Sequence, residues 1–145
     1  MVRQKNAMAN VFNEIINEYK MCVAKIAKKN NLYMGQTEVL FLLKDKPGWT
    51  QKDLANELGV SKATIGVSLR RMELAGLVNR ITDLQDARCI RVSLTDKGTD
   101  VCEKCNQAFK EIYDSMFASF TGDKHKQALD MLTAMKEGLT EVKKA

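Results

Sequence analysis

Through the first segment, about Asn6 to Lys28, Phe12, Ile15, Ile16, Tyr19, Val23 and Ile26 recur at spacings of three and four, one stripe of a helix. A second helical segment, about Gln36 to Lys44, carries Val39, Leu40, Phe41, Leu42 and Leu43 and stops before Pro47-Gly48, the chain's one proline and a strong turn signal. Short and apolar on most sides, it reads as a buried central helix. Thr50 then suits an N-cap, Asp53 places negative charge in the first turn, and Leu54, Ala55 and Leu58 supply an apolar face. Gly59 ends this helix and Val60 fills the turn. Ser61 caps the next helix, which runs to about Ala75 with Ile65, Leu69 and Met72 inward and Lys62, Thr64, Ser68, Arg70 and Arg71 on the opposite face.

At Gly76 the period changes. Leu77 to Ile81 and Cys89 to Leu94 alternate as strands around the polar stretch Thr82 to Arg88, which predicts a hairpin. Thr95 caps a long helix from Asp96 to about Phe120, with Val101, Cys105, Phe109, Ile112, Met116 and Phe120 in its stripe; Thr121-Gly122-Asp123 breaks it. The last helix spaces Ala128, Leu132, Met135, Leu139 and Val142 for packing against another helix. The fold class expected is therefore mainly α with a small β-hairpin wing. It is divided into an N-terminal helix and connection (1–35), a winged helix-turn-helix (36–98) and C-terminal helices (99–145).

An eight-residue helix, a glycine-containing turn and a second helix are the plan of a helix-turn-helix, whose second helix enters the major groove. Lys62, Ala63, Thr64 and Val67 are placed nearest the bases: Lys62 suits guanine acceptors, while Ala63, the Thr64 methyl and Val67 suit thymine methyls. Arg70 and Arg71, one to two turns further on, are placed on phosphate or a second base step. Thr50, Gln51 and Ser61 are candidate phosphate donors at the flanks, and Ser68 lies on the same polar face. Arg88 is the candidate for the minor groove, with Asp86 bracing it. Gly66, mid-helix at a cost of about 1 kcal/mol relative to alanine, suggests close approach to a backbone or a tolerated accident.

Charge sharpens this picture. The chain of 145 residues carries a formal charge of +5. The stretch from Lys62 to Arg91 holds Lys62, Arg70, Arg71, Arg80, Arg88 and Arg91 against Glu73, Asp83 and Asp86, so more than half of the surplus lies there. With 45% hydrophobic and 28% charged residues the composition is that of an ordinary soluble protein. The opening Met1-Val2-Arg3-Gln4-Lys5-Asn6 is not a signal-peptide core, and a cytoplasmic protein is expected. One histidine, His125, no glycine-rich phosphate loop and no strand-borne nucleophile leave no catalytic set, so no enzyme and no cofactor are expected. Cys102-Glu103-Lys104-Cys105 invites a zinc reading, but Cys22 and Cys89 are isolated and tetrahedral zinc takes four ligands; the pair reads as core packing and no metal site is expected. The alternative to a DNA reader is a winged-helix module that binds protein.

The ordered motifs resemble the MarR family of winged-helix transcriptional regulators over nearly the whole chain. The resemblance runs from Leu54-Ala55 and Leu58-Gly59-Val60-Ser61 through Thr64-Ile65 and Met72-Glu73 to Gly76-Leu77-Val78 and Arg80. It closes on Asp86-Ala87-Arg88 and Leu94-Thr95-Asp96-Lys97-Gly98, the most specific part. The resemblance implies a homodimer whose first and last helices interlock over a palindromic double-stranded operator, and a repressor released by a small molecule, metal or oxidant. It also sets Asp86 and Arg88 in the wing at the minor groove. Val67 and Arg70 depart from the residue types frequent in the family, so the operator sequence does not carry over. Dimerisation has an independent reason, because the first helix and the last two carry apolar stripes that one small winged domain leaves uncovered. An effector pocket is expected where the winged domain meets the helical region, lined in part by Tyr19, Tyr33, Phe41 or Trp49. Cys22 lies where some relatives sense oxidants, with burial in the dimer core as the plainer role.

Overall fold

The computed structural model describes residues 2–145, with side chains from residue 7 onward. Met1, and with it the start of the leader reading, lies outside the described residues. Helix α1 (Val2–Lys29) ends on Asn31, whose left-handed φ of 56° turns the chain so that the Leu32 N–H donates to the Ala27 carbonyl at 2.8 Å. Leu32 is thereby buried with Ile26 and Ala27. Helices α2 (Gln36–Asp45), α3 (Gln51–Leu58) and α4 (Lys62–Leu74) follow, then strands β1 (Val78–Thr82) and β2 (Ile90–Leu94), and helices α5 (Asp96–Phe117) and α6 (Asp123–Lys144). The expected order of six helices with a hairpin after the fourth is the observed one.

The chain divides into two compact units, one reaching to Phe109 and the other Lys110–Ala145. In the first, Leu40 of α2, Leu54 of α3, and Ile65, Leu69 and Met72 of α4 are almost completely buried, closed on one side by Val78 and Val92 of the hairpin. Each such side chain contributes about 1.5–3 kcal/mol by leaving water. Cys102, Cys105 and Phe109, from the first part of α5, are buried in the same unit.

The two strands pair antiparallel, Val78 opposite Leu94 and Thr82 opposite Ile90. Each starts one residue later than the alternation suggested. Leu77 is committed to the end of α4, its N–H donating to the Met72 carbonyl at 2.9 Å, and the Cys89 N–H closes the wing turn on the Asp86 carbonyl at 2.9 Å. An isolated β-bridge lies outside that alternation: Thr50 pairs with Arg91, and the Val92 N–H donates to the Trp49 carbonyl at 3.0 Å, tying the wing to the α2–α3 turn.

In the second unit α5 stops at Phe117, short of the expected Phe120, because the Phe120 N–H closes a turn on the Phe117 carbonyl at 2.9 Å. Helix α6 has no buried residue, and its stripe of Leu132, Met135, Leu139 and Val142 is 39–76% exposed.

The start of α5 is fastened to the end of α4. The Thr95 N–H donates to the Leu77 carbonyl at 3.1 Å and its hydroxyl to the Gly76 carbonyl at 2.5 Å; the hydroxyl accepts from the Gly98 N–H at 2.9 Å, and Lys97 Nζ reaches the Ala75 carbonyl at 2.7 Å. Gly98 has to be glycine there, because a Cβ would stand 2.0 Å from the Leu77 carbonyl oxygen. Helix propensity alone predicts that Gly98→Ala stabilises the protein by about 1 kcal/mol. The backbone apposition predicts the opposite sign, a loss of about 2 kcal/mol or more, measurable as a lowered midpoint in urea unfolding. A raised midpoint would show that the two backbones part readily.

Candidate nucleic-acid interface

Each helix of the reader starts with a side chain that satisfies its own backbone. At α3 the Thr50 hydroxyl oxygen accepts from the Asp53 N–H at 3.1 Å while Asp53 Oδ2 accepts from the Thr50 N–H at 3.2 Å and from its hydroxyl at 2.7 Å, a complete capping box. These bonds, the hydroxyl's first, hold the Asp53 carboxyl below the ordinary carboxylate range. Gly59 takes a left-handed φ of 64° at the turn, and Val60 donates back to the Ala55 carbonyl at 3.0 Å. Ser61 Oγ then accepts from the Thr64 N–H at 3.1 Å to start α4.

With Ile65, Leu69 and Met72 locked inward, the 3.6-residue period turns Lys62, Ala63, Thr64, Val67, Arg70 and Arg71 outward, and all six are exposed. Ser68 is half-buried at the edge of this face. Val67, 54% exposed, is the large apolar side chain among these six. Gly66 faces the start of α3, where a Cβ would come within 3.3 Å of Gln51 Nε2, so its close approach is to that side chain.

The wing tip is built on Asp83. Its Oδ1 accepts from the backbone N–H groups of Gln85 at 2.7 Å and Asp86 at 3.0 Å, and its Oδ2 pairs with Arg91, whose Nη1 also donates to the Gly48 carbonyl at 2.8 Å. Arg91 and those N–H groups hold the Asp83 carboxyl below its ordinary range. Asp86 accepts from the Arg88 backbone N–H at 3.0 Å through Oδ1 and contacts Cys89 Sγ at 3.4 Å through Oδ2. It therefore braces the main chain at Arg88, leaving the guanidinium outside any ion pair among the described residues.

This geometry corrects the sum of cations along the sequence. Arg80 donates twice to Glu73 Oε2, at 2.8 and 3.1 Å, holding that carboxyl below its ordinary range, and Arg91 is committed to Asp83. The two arginines brace the hairpin. Lys62, Arg70, Arg71 and Arg88 make no salt bridge among the described residues and are exposed on α4 and the wing. Of the flanking donors, Thr50 gives its hydroxyl to its cap, and Gln51 is half-buried beside Gly66, its Oε1 without a hydrogen-bond partner among the described residues.

The four aromatics expected around an effector sit on α1, on α2 and in the turns that flank α2. Tyr19 is half-buried on α1; Tyr33 lies beside α4, with Arg71 Cζ 4.7 Å from its ring centre. Phe41 packs edge-on against Phe109, centroids 5.4 Å apart, and Trp49 donates from Nε1 to the Leu42 carbonyl at 2.8 Å. Cys22 is exposed on α1. Cys102 and Cys105 are fully buried, and burial pushes the Cys105 thiol up to about 11, the condition of packed rather than reactive sulfur. No helix among the described residues is long and apolar enough to cross a membrane.

A buried-backed helix with an exposed cationic face, set beside an ordered β-wing, defines a winged helix-turn-helix. The MarR family model matches residues 32–90. The homoprotocatechuate degradative operon repressor of Escherichia coli is 30% identical over 107 residues, 74% of this chain and 72% of that protein. Among solved structures, that of an S. aureus MepR–DNA complex has a TM-score of 0.77 at 25% identity, covering 90% of this chain and 96% of that one; a mutant of S. aureus MepR reaches 0.80 at 26%, covering 90% and 97%. The chain belongs to the MarR family of winged-helix transcriptional regulators, which are DNA-binding proteins and not enzymes.

Asp83 supplies a pH test of the wing. A carboxyl whose pKa is depressed on folding contributes stability that is present above the unfolded value, about 3.9, and is lost as pH falls through the lower folded value. The amide resonances of Gln85 and Asp86 are expected to hold their native positions at pH 4 and to shift together only below it. In Asp83→Ala both amides should lose protection from hydrogen exchange at neutral pH; unchanged protection would contradict the role given to Asp83.

Proposed function

We propose that two copies of this chain form a homodimer that binds a palindromic double-stranded operator and represses transcription until a small-molecule or oxidant signal releases it. The observation that carries DNA reading is the outward face of α4: Lys62, Ala63, Thr64 and Val67 near the helix start, where base edges are met, with Arg70 and Arg71 further along for phosphates. Arg88, with its backbone fixed by Asp86, reaches the adjoining minor groove. Thr50 and Ser61 act there mainly through the helix starts they cap, and Gln51 and Ser68 border the face.

Dimerisation is supported by the apolar stripes left uncovered in one chain: Met8, Val11 and Ile15 of α1 and Leu132, Met135, Leu139 and Val142 of α6. Two-fold symmetry would space two recognition helices about one turn of duplex, ~34 Å. Repression and operator binding are supported by similarity to the E. coli operon repressor and to MepR, which is solved in complex with DNA. Signal release rests on the family resemblance.

The test is to select fragments of the source organism's own DNA with purified protein, footprint the bound sites, and measure the mass of the free protein by sedimentation. A dimer and two protected half-sites about ten base pairs apart, centre to centre, are expected. A monomer at micromolar concentration overturns the dimer, and absence of DNA binding even at low salt overturns the reading as a whole.

A further inference from the structure

The loop between α1 and α2 bears on the recognition helix in two separate ways. Gln36, 2% exposed, accepts from the Tyr33 N–H through Oε1 at 3.0 Å and donates from Nε2 to the Ser68 carbonyl of α4 at 3.4 Å. The Gln36 N–H returns to the Tyr33 carbonyl at 3.1 Å, so the turn is closed on itself and hung from α4 by a buried amide. Beyond it the Tyr33 side chain, 60% exposed, spreads its ring under Arg71, with the guanidinium carbon 4.7 Å from the ring centre. Both residues line a groove of about 420 Å³, together with Thr64, Val67 and Ser68 of α4.

Arg71 is exposed and carries no salt bridge among the described residues, and a free arginine on a helix surface samples many rotamers. A ring face within about 6 Å attracts a guanidinium without using its N–H donors, so all five remain for an anion. We propose that Tyr33 is a positioning residue of the DNA interface: fixed by Gln36, its ring holds the Arg71 guanidinium at the edge of α4, ready for a backbone phosphate. This inference rests on the reading of α4 as the DNA reader and extends that surface to a residue outside the helix-turn-helix.

The test is a double-mutant cycle on an operator fragment bound by the wild-type protein, using Tyr33→Ala, Arg71→Ala, the double variant and Tyr33→Phe, with melting curves to confirm folding. Tyr33→Ala should weaken binding about fivefold, in line with an exposed cation–π contact. Tyr33→Phe, which keeps the ring, should bind like wild type. The double variant should be no weaker than Arg71→Ala alone. If Tyr33→Ala binds as tightly as wild type, or more tightly, or if its loss simply multiplies that of Arg71→Ala, the positioning role is overturned while DNA reading stands. Wild-type protein that binds no DNA overturns the underlying reading and this inference with it.

Discussion

Where α5 begins, its backbone lies directly on the carbonyl of Leu77, so close that no side chain fits at Gly98. Thr95 and Lys97 use this proximity to satisfy the carbonyls of Leu77, Gly76 and Ala75 at the end of α4, and the adjoining residues Val78 and Leu94 open the hairpin ladder. The recognition helix, both strands of the wing and the first turn of α5 are thus joined within a few residues. Leu77 and Gly98 are buried, and leaving their backbone groups unpaired would cost on the order of 1–3 kcal/mol each, which favours this one arrangement of the seam. An outward face on α4 and a wing at a fixed place beside it depend on that arrangement.

Charge is sorted on the same frame. Arginines near carboxylates are consumed in holding the hairpin: Arg80 by Glu73, Arg91 by Asp83. Cations without such partners, Lys62, Arg70 and Arg88, point away from the core, and Arg71 rests on an aromatic ring instead. On the proposed function, a polyanion would meet the second group. The exposed stripes of α1 and α6 add a further demand on the molecule, and the proposed second copy is what would cover apolar surface of that extent.

Much of this was legible in the residue pattern. The helix-turn-helix was visible because its caps are local: Thr50 with Asp53, Gly59, and Ser61 each act within a few residues of their place in the chain. The inward trio Ile65, Leu69 and Met72 followed from periodicity alone. What escaped depends on contacts between distant residues. The bridge at Thr50 has no alternation to announce it and exists because Val92 and Arg91 come to Trp49 and Thr50. Asp83 looked like one negative charge among positive ones, although an aspartate two and three residues ahead of Gln85 and Asp86 is a sequence signal for a side-chain-closed turn. Nothing in the sequence announces that Tyr33 lies against Arg71, 38 positions away.

On the proposed function, the fold separates cations that brace from cations that read. Salt dependence of operator affinity measures this directly, since removing the cation from one phosphate lowers the slope of log K against log salt by about 0.9. Arg88→Ala and Arg80→Ala should be compared on the same duplex under conditions where both variants are folded. With that separation, the slope falls by about 0.9 for Arg88→Ala and is unchanged for Arg80→Ala. Equal reductions, or a reduction confined to Arg80→Ala, would contradict it.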